Sequence, residues 1–172
     1  ANAVKIVESL NVKKVIFLPD DYLAKYVASK TKVEIISWKG KCEVHERFTD
    51  HEIFELRKKY PDLKVVSHPE CPPEVINASD YTGSTGSMIN YVKNTKAKDI
   101  FLVTECSMSD NVQIENPNIN FIKPCNLCPH MKKITLKSIL KSLKEENYLI
   151  EIDDETISRA KGAIEKMIAI GR

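Results

Sequence analysis

The chain has 172 residues, 42% hydrophobic and 29% charged, with a formal net charge of +2. These proportions fit a globular protein of one medium domain or two small ones, and no apolar run approaches the ~20 residues needed to span a bilayer. The lysines are dispersed over helical faces rather than gathered in a stripe, which argues against nucleic acid as the main partner. Nothing resembles a cleavable signal, and five cysteines without dense, short spacing suit the cytosol, where thiols serve as ligands, nucleophiles or core filler.

Residues 1–7 read as the first turns of a helix that feeds a strand at 14–18. Further strands are predicted at 33–37, 63–67, 99–104 and 120–123, all rich in Val, Ile and Phe and bounded by turn residues. Thr49 and Glu52 form the capping box of a helix that runs to Tyr60 and stops at Pro61. Pro72 and Pro73 suit the first turn of a short helix ending near Ala78, and another helix begins at Ser84 and continues to about Asn94. Strands alternating with helices imply βαβ units, hence an α/β fold with short, mostly parallel sheets covered on both faces. The pattern then changes to two helices, 135–147 and 154–170, the second capped by Asp153 or Asp154 and closed by Gly171. Their periodic apolar positions (Ile139, Leu140 and Leu143; Ile157, Ala160, Ile164 and Met167) predict a packed stripe, a C-terminal helical pair clasping the body.

An internal repeat runs through this order. Ile16-Phe17-Leu18 and Ile100-Phe101-Leu102 are identical triplets 84 positions apart, and Cys42 and Cys128, 86 apart, each follow a strand-like run. So long a period implies domain-sized duplication rather than a solenoid. The expected organisation is two pseudo-repeated three-layer α/β/α units: the remainder of one over 1–42 and a further one over 43–128, followed by helices over 129–172. On the same shift the partner of Gly83-Ser84 falls before residue 1, and the chain lacks an initiator Met, so an upstream portion of the protein is expected.

In α/β sheets, ligands bind beyond the carboxyl ends of the strands. Five polar clusters fall there: Cys42-x-x-His45, His68-Pro69-Glu70-Cys71, Gly83-Ser84-Thr85-Gly86-Ser87, Thr104-Glu105, and the loop from Cys125 to His130. The Gly/Ser/Thr run suits either an anion held at a helix start or an ordinary capped helix. His68 and Glu70 could exchange protons near neutral pH, or could be a solvated loop pair. Cys125-x-x-Cys128 reads equally as half a zinc knuckle, a redox pair, or one ligand with an idle neighbour; a complete zinc site would need Cys42, His45 or His130. Cys71 and Cys106 read as packing or incidental thiols. Cys42 and Cys128 could meet at one cleft as metal or cluster ligands, but two ligands are too few for a common metal site.

Taken together, Cys42-x-x-His45, His68-Pro69-Glu70-Cys71-Pro72, Gly83-Ser84-Thr85-Gly86 and Cys128-Pro129-His130-Met131-Lys132 resemble quinolinate synthase, the iron–sulfur enzyme of de novo NAD biosynthesis. The motifs occur in the family's order and spacing over essentially the whole chain, and Ala1-Asn2-Ala3-Val4 resembles the family's Ser-x-Asn-Ala helix start without its serine. The resemblance implies a cytoplasmic transferase of three pseudo-symmetric α/β domains around a [4Fe–4S] cluster, with one cysteine from each. Cys42 and Cys128 would be two of the ligands. The third, with the tyrosines, histidine and serine of the N-terminal domain, is absent, so this chain would be the second and third domains and inactive alone. The implied reaction condenses iminoaspartate with dihydroxyacetone phosphate to quinolinate. Ser84 and Thr85 would grip phosphate or carboxylate, His45 and His68 would bind substrate, and Glu70 would shuttle protons.

Two other readings compete. One is a metal-independent sugar-phosphate isomerase using His68 and Glu70. The other is a zinc-binding α/β interaction domain with Cys42, Cys125, Cys128 and His130 as ligands.

Overall fold

The computed structural model describes residues 2–122 and 126–171, and the chain divides into two compact units. The larger, Val12–Cys128, is an α/β unit with two short parallel sheets. Its elements in order are β1 (Lys14–Phe17), α2 (Asp21–Ala28), β2 (Glu34–Ser37), α3 (Asp50–Lys59), β3 (Lys64–Ser67), α4 (Pro73–Asn77), β4 (Tyr81–Thr82), α5 (Thr85–Asn94), β5 (Asp99–Val103), α6 (Cys106–Glu115) and β6 (Asn120–Ile122). Strands β1 and β2 pair with each other; the other four form a sheet in the order β4-β3-β5-β6, all parallel.

Why this sheet forms is visible in its side-chain alternation. Successive residues of a strand point to opposite faces. Val65, Phe101 and Val103 therefore bury one way, against Ile53 of α3 and Val75 of α4. Val66, Ile100 and Leu102 bury the other way, against Met88 and Val92 of α5 and Val112 of α6. The result is three layers, helix on sheet on helix, and it explains why β3 and β5 read as continuous apolar runs rather than alternating ones. Each fully buried Val or Ile here contributes roughly 1.5–3 kcal/mol of transfer free energy. β1 differs: Ile16 is 71% exposed, whereas Ile100 of the matching triplet is 0% exposed, because only one face of the β1–β2 pair is covered.

Helix ends follow the expected chemistry. The capping box between Thr49 and Glu52 opens α3, with Glu52 N–H donating to Thr49 Oγ1 and Thr49 N–H to Glu52 Oε2. Pro73 is the first residue of α4. The strand limits lie within a residue or so of those expected, with Lys123 outside the described residues. Two helices, α2 and α6, and the two-residue strand β4 were not individually foreseen.

The second unit comprises Asn2–Asn11 and Pro129–Arg172. It holds α1 (Ala3–Ser9), α7 (Leu136–Glu145) and α8 (Asp154–Gly171). Helices α1 and α8 touch, and Asn2 Nδ2 donates to Met167 O at 3.3 Å. The apolar stripe predicted on the two C-terminal helices is exposed in this chain. Leu140 is 53% and Leu143 74% exposed, and Ile157, Ile164 and Met167 are exposed as well. Among the described residues no helix is long and apolar enough to cross a membrane.

Candidate functional site

Parallel strands deliver every chain segment that follows them to the same edge, and the polar residues gather there. After β2 the chain turns through Gly40, whose carbonyl accepts the Asp21 N–H at 2.8 Å. Cys42 comes next, its N–H donating to Asp20 Oδ2 at 2.9 Å. The Cys42 carbonyl then accepts the Glu46 N–H at 3.0 Å, which starts the short 3₁₀ turn His45–Arg47. That turn places the side chains of Cys42 and His45 together.

After β3, the His68 N–H donates to Val103 O and the Cys71 N–H donates to His68 O at 3.0 Å, folding 68–71 into a tight turn. It brings Glu70 beside His45, with Glu70 Oε2 3.2 Å from His45 Nδ1 and 3.7 Å from His68 Nδ1. The two imidazoles stack, centroids 4.6 Å apart and planes 13° from parallel. His45 Nε2 lies 3.0 Å from Oγ1 of Thr104, a buried residue at the end of β5. His45 Nδ1 is buried and close to Glu70, but without the alignment of a hydrogen bond.

These groups set one another's charge. Burial works against a charged His45, but Cys42 and Glu70 beside it prevail and push it up to about 9. The same contact with His45 holds the Cys42 thiol below its ordinary value against the cost of burial. Glu70 is likewise lowered, first by His45. His68 goes the other way: burial and the neighbouring charge of His45 bring it down to about 4. Its Nδ1 accepts the Glu70 N–H at 3.4 Å, which requires that nitrogen to be unprotonated. At neutral pH the site therefore presents an imidazolium at His45, a carboxylate at Glu70 and a neutral imidazole at His68, beside a Cys42 thiol whose deprotonation the imidazolium favours.

The adjoining turn extends the same edge. Gly83 N–H donates to Ser67 O at 3.1 Å, and the Ser67 and Thr82 hydroxyls are 2.9 Å apart. Ser84 caps α5, its Oγ accepting the Ser87 N–H at 3.2 Å, and Thr85 is the first helical residue. A Cβ on Gly83 would meet the Ser87 hydroxyl and come within 3.0 Å of the Tyr81 ring, so a larger residue here would need those side chains to shift.

Of the residues singled out by sequence, Cys42, His45, His68 and Glu70 form one contiguous group, and Ser84 and Thr85 lie on the next strand's turn of the same edge. Cys128 packs, as Cys42 does, against the core cluster of Val44, Phe48 and Phe101, and both residues are half-buried. Among the described residues, the one set of three metal-capable donors within 4.8 Å of each other is Cys42, His45 and Glu70. Cys125, invoked for a zinc set, lies outside the described residues. Cys71 is a core thiol that donates to Val103 O, and burial pushes its pKa up. Cys106 is disulfide-bonded, not the free thiol expected.

Two contributors were missed. Asp20 is buried (4% exposed) and contacts Cys42; its signal was an acid between Pro19 and an unrecognised helix. Glu105 was seen only as part of a polar cluster, yet its Oε1 accepts the Cys128 N–H at 3.5 Å.

Comparison with known proteins places this edge in context. The family model described as quinolinate synthetase A protein matches residues 1–169. The chain is 52% identical over 169 residues to "Quinolinate synthase 1" of Mesorhizobium japonicum, covering 98% of this chain and 52% of that protein. It is 51% identical to the quinolinate synthase of Agrobacterium fabrum and 49% to that of Xylella fastidiosa, again over 98% of this chain and 49% and 50% of those proteins. The chain thus spans about half the length of the curated relatives it matches.

Proposed function

Because the chain belongs to the quinolinate synthase family, we propose that it carries the cluster-binding and proton-transfer half of that enzyme's active site. The whole enzyme then condenses iminoaspartate with dihydroxyacetone phosphate to quinolinate, as a transferase of the cytoplasm in NAD biosynthesis. The observation that carries this reading is the meeting of Cys42, His45, His68 and Glu70 on one strand edge.

The residues fit a [4Fe–4S] cluster. Cys42 is half-buried and inclined to the thiolate that such clusters need, and Cys128 is a second half-buried cysteine against the same core. These two would hold the cluster with a third cysteine from elsewhere in the protein, within an architecture of three pseudo-symmetric domains. This chain alone would then lack turnover. Three thiolates leave one iron able to polarise a substrate oxygen as a Lewis acid.

The chain's own residues have distinct tasks. Thr104 fixes the ring of His45, whose positive charge suits a substrate carboxylate or phosphate. Ser84, Thr85 and the N-terminal end of α5 supply a second anion-binding element. Glu70 keeps a carboxylate between two imidazoles, so it can take a proton and return it during isomerisation and dehydration. His68, neutral, binds substrate through the ring nitrogen not occupied by the Glu70 amide.

The test uses the whole enzyme, with the upstream part that supplies the third cysteine, prepared anaerobically. Cys42→Ala and Cys128→Ala should each abolish the brown cluster absorption, and Glu70→Gln should keep the absorption but lose turnover. A full cluster in both cysteine variants ends the ligand assignment, and an unchanged rate for Glu70→Gln removes its proton role.

A further inference from the structure

Helix N-caps normally spend one side-chain oxygen on a backbone N–H of the first turn. At two places in this chain the capping residue is an acid, and its second capacity goes to a cysteine amide. Asp20 caps α2 by accepting the Leu23 N–H on Oδ1 at 2.7 Å, while its Oδ2 accepts the Cys42 N–H at 2.9 Å. Glu105 caps α6 by accepting the Ser107 N–H on Oε2 at 2.8 Å, while its Oε1 accepts the Cys128 N–H, a longer contact at 3.5 Å. Asp20 follows β1 and Glu105 follows β5, the two strands that carry the Ile-Phe-Leu triplets. Both acids thus stand at the same point relative to strand, helix and cysteine.

We propose that Asp20 and Glu105 are positioning residues, carboxylate clamps that fix the backbone of Cys42 and Cys128 so that their thiolates face the cluster. The inference rests on the ligand reading above and adds to it the groups that hold the ligands in place. A carboxylate suits this task better than a hydroxyl. Its two oxygens bind a helix start and a loop amide at once, tying the loop to a rigid element. The clamp acts on backbone and leaves the sulfur untouched, so it orients the ligand without competing for iron. Outer groups that orient metal ligands in this way typically cost about 10–100-fold in metal retention when lost.

Aspartate and asparagine both cap helices well, which separates the two roles of Asp20. Asp20→Asn keeps an oxygen for Leu23 and turns a donor NH₂ toward the Cys42 N–H. In metal-free protein, the Cys42 amide of this variant should exchange with solvent about tenfold faster or more, with the melting temperature little changed. In anaerobically reconstituted protein, a chelator should strip iron about tenfold faster than from wild type. Glu105→Gln should do the same at Cys128, and decides the matter alone if Asp20→Asn does not fold. Unchanged amide exchange and unchanged iron release in the folded variants overturn the clamp. Cys42→Ala keeps the two ideas apart. If it retains a full cluster, the ligand reading fails; if it loses the cluster while the clamp variants hold theirs as wild type does, only the clamp fails.

Discussion

Asp80 offers the sharpest test of how the site's edge is built, because it ties β3 to the strand that leads into the Gly83-Ser84 turn. Its Oδ2 accepts the Val65 N–H at 2.9 Å and the Arg57 guanidinium at 2.8 Å, and its Oδ1 accepts Lys64 Nζ at 3.1 Å. Its own N–H donates to Val65 O at 2.8 Å. Asp80→Ala leaves the Val65 N–H without an acceptor beside a fully buried side chain. A hydrogen bond to a charged group contributes about 1.5–3 kcal/mol. The two ion pairs, to side chains 33% and 45% exposed, add about 0.2–1 kcal/mol each. The expected loss is therefore about 2–5 kcal/mol, or roughly 4–20 °C in melting temperature for a chain of this size. Asp80→Asn, which retains one acceptor, should lose about half as much. The pH dependence has a definite sign. Burial works to raise Asp80, but the Val65 amide, Lys64 and Arg57 outweigh it and hold the carboxyl below its ordinary 3.8. A group lowered by folding stabilises above its unfolded value and loses that contribution as pH falls through the folded one. The penalty of Asp80→Asn in urea unfolding should thus be full at pH 6 and shrink below about pH 4. An equal penalty at both ends, or a wild-type melting temperature for Asp80→Ala, refutes the reasoning.

Two further changes probe the site itself. Thr104→Val keeps the shape of a buried residue but strands a ring N–H of His45, so it should cost about 1–3 kcal/mol in denaturant unfolding. Thr104→Ser should restore most of that, and an equally unstable Ser variant would show the methyl rather than the hydroxyl to matter. Ser84→Ala removes the cap of α5 and should cost about 1 kcal/mol. If the turn also binds substrate, KM for the phosphate-bearing substrate should rise several-fold; an unmoved KM leaves Ser84 only its capping role.

The fold was legible wherever local chemistry and tertiary packing agree. β3 and β5 are buried on both faces and read as unbroken apolar runs; α3 carries a complete capping box and a proline stop. The elements that escaped notice have weak local signals. α6, with the sequence CSMSDNVQIE, shows little apolar periodicity and is held by packing of Val112 on the sheet. β4 is two residues long and is defined by pairing with β3, not by composition. The apolar stripe on α7 was read correctly as a stripe, but periodicity says only that a face is apolar, not that anything covers it. Site residues followed the same division. Cys42, His45, His68 and Glu70 could be picked out because strand ends in a parallel sheet share an edge. The Thr104–His45 contact and the acid clamps depend on side-chain reach between segments far apart in sequence, which no motif records.

Carboxylates stand close to Cys42, a sulfur that would have to be negative to hold the proposed cluster. Two unit charges 4 Å apart repel by about 4 kcal/mol at the effective dielectric of a protein surface. Asp20 feels this setting, since burial raises its pKa and the charge of Glu70 adds to the effect. Opposing it are the N–H groups of Leu23 and Cys42 and the start of α2, where the helix dipole offers about half a positive charge. Glu105 sits at the start of α6 in the same way. Glu70 lacks a helix start, and its compensation comes from His45, which also faces Cys42. Each acid at the edge is therefore balanced by a different source: dipole and amides for the two acids that cap helices, an imidazolium for the acid proposed to move protons. The distinction matters functionally. A carboxylate locked between a helix start and a loop amide is a poor proton carrier, whereas one facing two imidazoles can lose and regain its proton without disturbing the backbone. Proton transfer is thus expected to fall to Glu70 and positioning to Asp20 and Glu105, although all three are acids on one edge.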